Sequence, residues 1–440
     1  MVYIPQQDLS RGVLRLIVRE GRVERLNLEE VEPRNRLATA FPGIEGRIFN
    51  LRDIEQGLDQ INRLRANDAK MEIAPGREPG GSTVTIRDRR RTPWFVDAGA
   101  DNSGSKSSGE RQGFARIEAD DLLGVNDLWS LDTRHSLDDR GGVRRSESVS
   151  GFLSIPFGYW TASLSADWFD YRSPVRGTVQ DFETSGATRT WQGRLERVVH
   201  RDAESKTTVS AAFAIKDTFN YVEDTRLETG SRRLAVATVD ATHARRLLGG
   251  AMTLSLAREA GLHLAGAKSD ADRDATTPEA QFEKWTADVR YWHPLPAPGN
   301  CALSWTVSAH GQWSPDTLYS TEQLSVGSLY SVRGFKKDNL YGNTGGYVRN
   351  DLRLSLPSSG NAVADGLFGR AYVGIGYDAG TVRSDGNGGV EHGRIQGAAL
   401  TAGTSGGRIP VSVTWARPLS GPSSVDRAGN VFYMSMGVSF

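Results

Sequence analysis

The 440-residue sequence predicts a mainly β fold: a transmembrane antiparallel β-barrel of sixteen strands, preceded by a compact α+β module. Three observations predict it. The chain ends on Val431-Phe-Tyr-Met-Ser-Met-Gly-Val-Ser-Phe440, in which Phe432, Met434, Met436, Val438 and Phe440 share one face and Tyr433, Ser435, Gly437 and Ser439 the other. A period of two makes this a strand. A soluble sandwich would leave its apolar edge open to aggregation, whereas a barrel pairs its last strand with its first and turns that face to lipid. The same alternation recurs sixteen times from Trp94 onward. No run reads as a spanning helix either: the long uncharged stretch most worth testing, Ser148 to Ala166, is interrupted by Gly151, Pro156 and Gly158. A mean hydropathy of −0.43 fits a barrel, because half of each strand faces a wet lumen.

The first 92 residues mix helix and strand. Leu14, Leu16 and Val18 alternate within Gly12–Gly21, and Val23–Leu28 follows as a second short strand. Arg34 to Phe41 reads as a weak helix stopped by Pro42-Gly43. Asn50 is an N-cap for a helix over Leu51–Arg65, where Leu51, Ile54, Leu58, Ile61 and Leu64 form one stripe. Lys70–Ala74 and Thr83–Ile86 are two strands joined by the turn-rich Pro75–Gly81. The order is strand, helix, helix, strand, strand.

The barrel segments lie near residues 94–102, 111–119, 126–136, 146–157, 158–172, 186–200, 205–218, 232–247, 249–260, 280–295, 300–313, 344–356, 367–379, 391–403, 408–418 and 431–440. Trp160, Ala162, Leu164, Ala166 and Trp168 against Thr161, Ser163, Ser165 and Asp167 is the clearest alternation. Val209, Ala211, Phe213 and Ile215 against Ser210, Ala212, Ala214 and Lys216 repeats it. Each segment matches the roughly 9–11 residues a tilted strand needs to cross a bilayer. Asn102–Arg111 and Gly266–Pro278 read as long outer loops, and Ile155–Gly158 as a tight inner turn.

Composition excludes several chemistries. With 53 basic and 53 acidic residues there is no basic excess for general nucleic-acid binding. Cys301 is the single cysteine, which rules out an internal disulfide and a four-cysteine zinc site. The seven histidines show no ligand spacing, so no metal or other cofactor is expected. Gly374-x-Gly376-x-x-x-Gly380 has a dinucleotide-like spacing, but no helix follows it. Arg87-Asp-Arg-Arg-Arg91 reads as a solvated or headgroup-facing cluster, with contact to an acidic client as the alternative. No nucleophile–base arrangement supports an enzyme. Met1-Val-Tyr-Ile-Pro-Gln-Gln7 lacks a basic region followed by an apolar core, so a membrane reading implies a longer product that carries the signal peptide.

One connection stands apart: about thirty residues, Pro315 to Thr344, between the eleventh and twelfth segments. Loops of that length usually carry function. At its centre lies Ser331-Val-Arg-Gly-Phe335. With it, the chain resembles the two-partner secretion transporters (TpsB type, the haemolysin and filamentous-haemagglutinin secretion-activation family) of the POTRA-plus-barrel superfamily. Tyr3–Gly12, Asn50–Gly57, Ala74–Gly80, Asp101-Asn-Ser-Gly104 and the terminal Phe440 resemble further family signatures.

The resemblance implies that the loop folds into the lumen. Its tip, Val332, Arg333, Gly334 and Phe335, would be anchored by Arg333 to Asp378 in Gly376-Tyr-Asp-Ala-Gly380 of the thirteenth strand. It also implies residues 1–20 as the closing hairpin of a first POTRA, 21–92 as a second POTRA, and 93–440 as the barrel with inward loop 315–344. The family's N-terminal plug helix and linker are not in this sequence. Asp351 stands where the family often has Glu, and Gly327-Ser328 replaces a frequent Gly-Gly.

A guanidinium presents a rigid fork that a carboxylate matches bidentately, so such a pair can fix a loop in a wide lumen. The alternative is that it only stabilises the barrel. Lys70, Met71, Glu72, Ile73 and Ala74 are expected at a sheet edge able to accept a strand from an unfolded client, or else as the capped edge of a spacer. The implied function is export of a large β-rich exoprotein (adhesin, haemolysin or contact-dependent toxin) from periplasm to surface of a Gram-negative cell. The implied partners are that unfolded client with its N-terminal secretion domain, outer-membrane lipid and, through the last strand and Phe440, the barrel assembly machinery. A barrel-assembly insertase of the same superfamily and a passive porin are the rival readings.

Overall fold

The computed structural model describes the chain apart from residues 1, 11, 19, 30–33, 139–143, 178–179, 229, 272, 275–276, 384–391 and 428. Met1, Arg11 of the 3–12 signature, Arg19 of the first predicted strand, part of the 266–278 loop and Glu391 of the fourteenth segment therefore lie outside the described residues. The chain forms two compact units. The first holds Met1–Trp94, Glu118–Trp129 and Leu153–Ser163; the second holds Phe95–Ile117, Ser130–Phe152 and Leu164–Phe440.

In the first unit, β1 (Val2–Tyr3) pairs antiparallel with β2 (Ile17–Val18). The expected strand across Gly12–Gly21 is thus reduced to two residues. Val13, Leu14 and Leu16 are more than half exposed, and an isolated two-stranded pair gives a longer strand nothing to pack on. There follow β3 (Arg22–Leu28), α1 (Arg34–Ala40), α2 (Leu51–Asn62), β4 (Ala69–Pro75) and β5 (Gly81–Asp88). The sheet order is β3-β5-β4, with β3 parallel and β4 antiparallel to β5. A parallel pair requires a crossover, and α1 and α2 lie within the one that joins β3 to β5.

The Asn50 side chain accepts a hydrogen bond from the Arg52 amide at 3.0 Å and so starts α2. Ile54 and Ile61 are buried with Val23, Phe41, Val84 and Ile86. The helix ends at Asn62, earlier than the predicted Arg65, and Leu51 at its first turn stays exposed rather than joining the stripe. Gly57 sits mid-helix, where glycine costs roughly 1 kcal/mol in propensity. Its reason is packing: a Cβ there would overlap the Phe41 ring.

The Arg87–Arg91 run is not one solvated cluster. Asp88 is buried against Arg36 at 2.9 Å, Arg36 also holds Asp121 at 3.0 Å, and Arg90 reaches Asp121 at 3.3 Å. Arg87 remains exposed, paired with Glu29 and Glu72. Two buried carboxylates that need counter-charges draw part of the run inward. Burial pushes the Asp121 carboxyl above its usual range despite Arg36.

Sixteen long strands close the barrel: β6 (Trp94–Asp101), β7 (Gln112–Asp120), β8 (Leu128–Ser136), β9 (Arg145–Phe157), β10 (Trp160–Arg176), β11 (Asp181–Arg201), β12 (Ser205–Val222), β14 (Arg232–Leu247), β15 (Gly250–Leu262), β16 (Glu283–Leu295), β17 (Ala302–Trp313), β20 (Gly345–Ser355), β21 (Gly369–Val382), β22 (Gly393–Gly406), β23 (Val411–Ser420) and β24 (Val431–Ser439). The two-residue β13 (Thr225–Arg226) adds to the β12–β14 hairpin, while β18 (Leu324–Val326) and β19 (Leu340–Gly342) pair with each other. Residues 367 and 368, expected at the start of the thirteenth barrel strand, instead finish a short helix, α3 (Ala362–Phe368). Its first amides, those of Val363 and Ala364, are capped by the Asn361 side chain. That strand, β21, then runs on to Val382, so Gly380 lies inside it.

Leu164, Trp168, Trp191, Val239, Leu400, Met434 and Met436 are all exposed, whereas Ser210, Asp378, Thr414 and Tyr433 are buried. An apolar outside around a polar inside inverts the pattern of a water-soluble fold and suits lipid. Closure falls between β24 and β6, from Ser435↔Asp101 to Ser439↔Asp97. Phe440 extends it by exchanging both backbone hydrogen bonds with Val96, at 2.9 and 3.3 Å.

Gly57→Ala is expected to destabilise the first unit by about 1–3 kcal/mol, because overpacking against Phe41 outweighs the gain in helix propensity. Amide hydrogen exchange over residues 51–62 measures it; protection equal to or above that of the parent would show that the ring moves aside at no cost.

Candidate functional site

The segment between β17 and β20 is a structured loop and not an irregular excursion. The β18–β19 hairpin closes its waist, and between those strands the chain turns through Ser328–Phe335. Gly327 has φ 125° and Gly334 φ 102°, conformations that favour glycine. The Gly327 amide donates to the Ser331 hydroxyl at 2.9 Å, and the Ser328 amide to the Val332 carbonyl at 3.2 Å. A Cβ on Gly334 would lie 2.7 Å from the Pro418 nitrogen of β23, so the tip can approach the wall only without a side chain.

Arg333 is 4% exposed and Asp378 fully buried. Nε of Arg333 donates to Oδ2 of Asp378 at 2.6 Å and Nη2 to Oδ1 at 2.7 Å, while the Arg333 amide adds a third bond to Oδ2 at 3.0 Å. This is the bidentate arrangement that a guanidinium and a carboxylate favour. A second carboxylate completes it: Nη1 of Arg333 lies 2.7 Å from Asp351 on β20. Asp351 is shorter by one methylene than the Glu frequent at its position in the family the sequence resembles, and still reaches. Arg349 stands behind, 3.6 Å from Asp351 and 3.8 Å from Asp378.

The glycines of the wall give this site its shape. A Cβ on Gly376 would overlap the Arg333 guanidinium; one on Gly380 would lie 2.5 Å from Val326 and 2.9 Å from Val332; one on Gly397 of β22 would overlap the Arg333 carbonyl. In a strand, residues 376, 378 and 380 face the same side. Thus Gly376-x-Asp378-x-Gly380 presents one carboxylate between two gaps, and the loop tip fills the gaps. Phe335 is 1% exposed, packed with Val332, Leu324, Val326 and Leu340 of the loop, with Val382 and Ile395 of the wall, and with Val425. Lys336 then binds the Asn102 carbonyl and Glu110, and Lys337 binds Asp426 at 2.6 Å.

A further clamp holds the root of the loop, and the sequence reading did not find it. Glu322, 3% exposed, pairs with Lys216 of β12 at 2.7 Å and Lys284 of β16 at 3.0 Å. Leu318 and Tyr319 pack with Leu234, Val236, Ala280 and Phe282, and Arg232 lies 4.1 Å over the Tyr319 ring. The available signal was Lys216, a cation that ends the row of small residues Ser210, Ala212 and Ala214; nothing local pointed to Glu322 as its partner.

Among the predicted edge residues, Met71 packs toward the module core, while Lys70, Glu72, Ile73 and Ala74 are exposed. Among the described residues, β4 is an edge strand paired only with β5. The other edge, β3, is partly covered: Val23 bonds through its amide to Arg47 and through its carbonyl to Gly46, and Arg22 bridges Ile48. Glu72 of β4 and Glu29 share Arg87, whose hydrogen bond holds the Glu29 carboxyl below its usual range.

The geometry can be set beside known proteins. The family model for haemolysin secretion/activation proteins ShlB/FhaC/HecB matches residues 80–406, and a POTRA domain model matches residues 22–75. The chain is 34% identical over its whole length to an outer membrane transporter CdiB of Escherichia coli, spanning 73% of that protein. It is 31% identical over 79% of its length to the hemolysin transporter protein ShlB of Serratia marcescens, spanning 61% of it. Among solved structures, CdiB from Escherichia coli superimposes with a TM-score of 0.93 at 33% identity, over all of this chain and 80% of that one. BamA from Haemophilus ducreyi gives 0.56 at 12% identity, covering all of this chain and 90% of that one, a likeness of fold alone. The chain belongs to the haemolysin secretion/activation family: it is an outer-membrane transporter of the two-partner secretion type.

Proposed function

We propose that this transporter exports one large, β-rich exoprotein, an adhesin, haemolysin or contact-dependent toxin with an N-terminal secretion domain. The client reaches the module unfolded from the periplasm and leaves through the barrel. The observation that carries this reading is the position of Arg333. A loop tip tied to the wall by charge and by one aromatic side chain can leave and return as a unit, which a covalent or fully apolar plug cannot do as readily. Breaking a buried pair by removing one partner costs roughly 3–5 kcal/mol, and that is the scale on which a passing chain must compete. Folding of the client outside supplies direction, since no nucleotide-binding motif is present to do so. The edge of β4 recruits the client by strand addition, which reads backbone and tolerates varied sequence. The final strand and Phe440 serve the barrel assembly machinery as the insertion signal.

The likeness to outer membrane transporters named CdiB, in sequence and in structure, supports the transport reading. The insertase reading is disfavoured by comparison, because the likeness to BamA extends to fold alone.

Arg333→Ala is expected to leave a heat-modifiable barrel in the outer membrane and to reduce secretion of the cognate exoprotein at least tenfold. Gly376→Val, which fills the space of the guanidinium, should have the same effect. Normal secretion from either variant, with the barrel assembled, would remove the loop from the transport mechanism. Ile73→Pro, which denies β4 a regular edge, should weaken capture of the secretion domain by the full-length chain about tenfold or more in a pull-down titration; undiminished capture would locate client recognition elsewhere.

A further inference from the structure

Beside the loop tip, the second unit holds an open cavity of about 740 Å³ lined by Arg290, Trp292, Arg349, Arg353 and Tyr372 from the wall and Tyr330 from the loop. Its charges do not balance locally. Asp351 is taken by Arg333 at 2.7 Å, and Asp101 by Arg134 at 2.8 Å. Among the described residues, Arg349 is left with only the distant sides of carboxylates that Arg333 already holds, at 3.6 and 3.8 Å. Arg353 lies 3.6 Å over the Tyr372 ring and donates one bond, at 2.7 Å, to the Ser405 hydroxyl. Its Nε is buried with no hydrogen-bond partner, and no carboxylate pairs with it among the described residues. Arg290 is exposed to the cavity and likewise has no ion pair among the described residues.

Register sets the spacing. Arg290 and Arg349 flank Ser308 on either side, two strands apart and therefore roughly 10 Å from each other. Arg353 is four residues further along β20, about 13 Å from Arg349. Trp292, two residues from Arg290, and Tyr330 on the loop are 44% and 65% exposed, so flat apolar faces stand beside the cations.

We propose that this cavity is a carboxylate-binding subsite of the lumen, in which Arg290 and Arg353 receive acidic side chains of an extended polypeptide. A guanidinium without a carboxylate partner is the group that recognises carboxylate with paired hydrogen bonds. The spacing suits a chain with acidic residues a few positions apart, since an extended chain advances about 3.3 Å per residue. That the polypeptide is the exported client rests on the export reading above; the subsite itself does not.

The test uses the full chain in detergent and fluorescent deca-glutamate or deca-lysine, read by anisotropy. Deca-glutamate is expected to bind at least tenfold more tightly than deca-lysine. R290Q and R353Q together should cut that preference to within twofold while heat-modifiable mobility is kept. Where the double variant fails to fold, R290Q alone, which breaks no ion pair, should reduce the preference at least threefold. Equal binding of the two peptides, or a preference unmoved by R290Q, would overturn the proposal. So would displacement of deca-glutamate by acetate at an equal concentration of carboxylate, which identifies a site for small anions only. Secretion plays no part in these readouts, so failure of the export reading and failure of the subsite are told apart.

Discussion

The loop's inward position depends on one guanidinium shared between two carboxylates. Arg333 brings its charge into the barrel bore, where solvation is poor, and Asp378 and Asp351 return what desolvation takes away. A pair of this kind contributes little to net stability compared with an apolar substitute of the same shape, yet removing one partner is expensive. On the export reading proposed above, such asymmetry suits a latch better than a strut.

The glycines around that pair follow from the same constraint. A guanidinium needs both edges free, and the backbone of a barrel wall offers room only where side chains are missing. Gly376, Gly380 and Gly397 clear the wall, and Gly334 clears the tip. Phe335 then closes the apolar side, so that charge and hydrophobic burial hold the tip from opposite directions. The clamp at Glu322 works differently. It fixes the root of the loop to β12 and β16, so that release at Arg333 would swing the tip while the root stays in place.

Much of this was legible in the sequence because barrels and small α+β modules are governed by local periodicity. Alternation located the sixteen strands, and Asn50 located the start of α2, since both signals reside in neighbouring residues. Helix and strand ends were less legible. The halt of α2 at Asn62, where Arg63 turns to Ser154 and Asn126, and the brief pairing of β2 depend on distant segments, while the short helix before β21 starts at a local cap, Asn361, that alternation does not register. The partners Arg333 and Asp378 came from resemblance to a family, because forty-five residues separate them and no local pattern links them. Asp351 was noted by the same resemblance, but its pairing with Arg333 and the Glu322 clamp were beyond reach for the same reason. So was the inward turn of Asp88 and Arg90, whose partners, Arg36 and Asp121, lie on other segments.

The most direct measurement is a double-mutant cycle on the latch. Arg333→Ala, Asp378→Ala and the double variant would be compared by amide hydrogen exchange over residues 324–342 in the purified transporter. The two side chains are predicted to act as one unit, so the double variant should lose no more protection than Arg333→Ala alone, which also gives up Asp351, a coupling of about 3 kcal/mol on the scale of buried ion pairs. Losses that simply add would contradict the account and reduce the pair to two independent contacts.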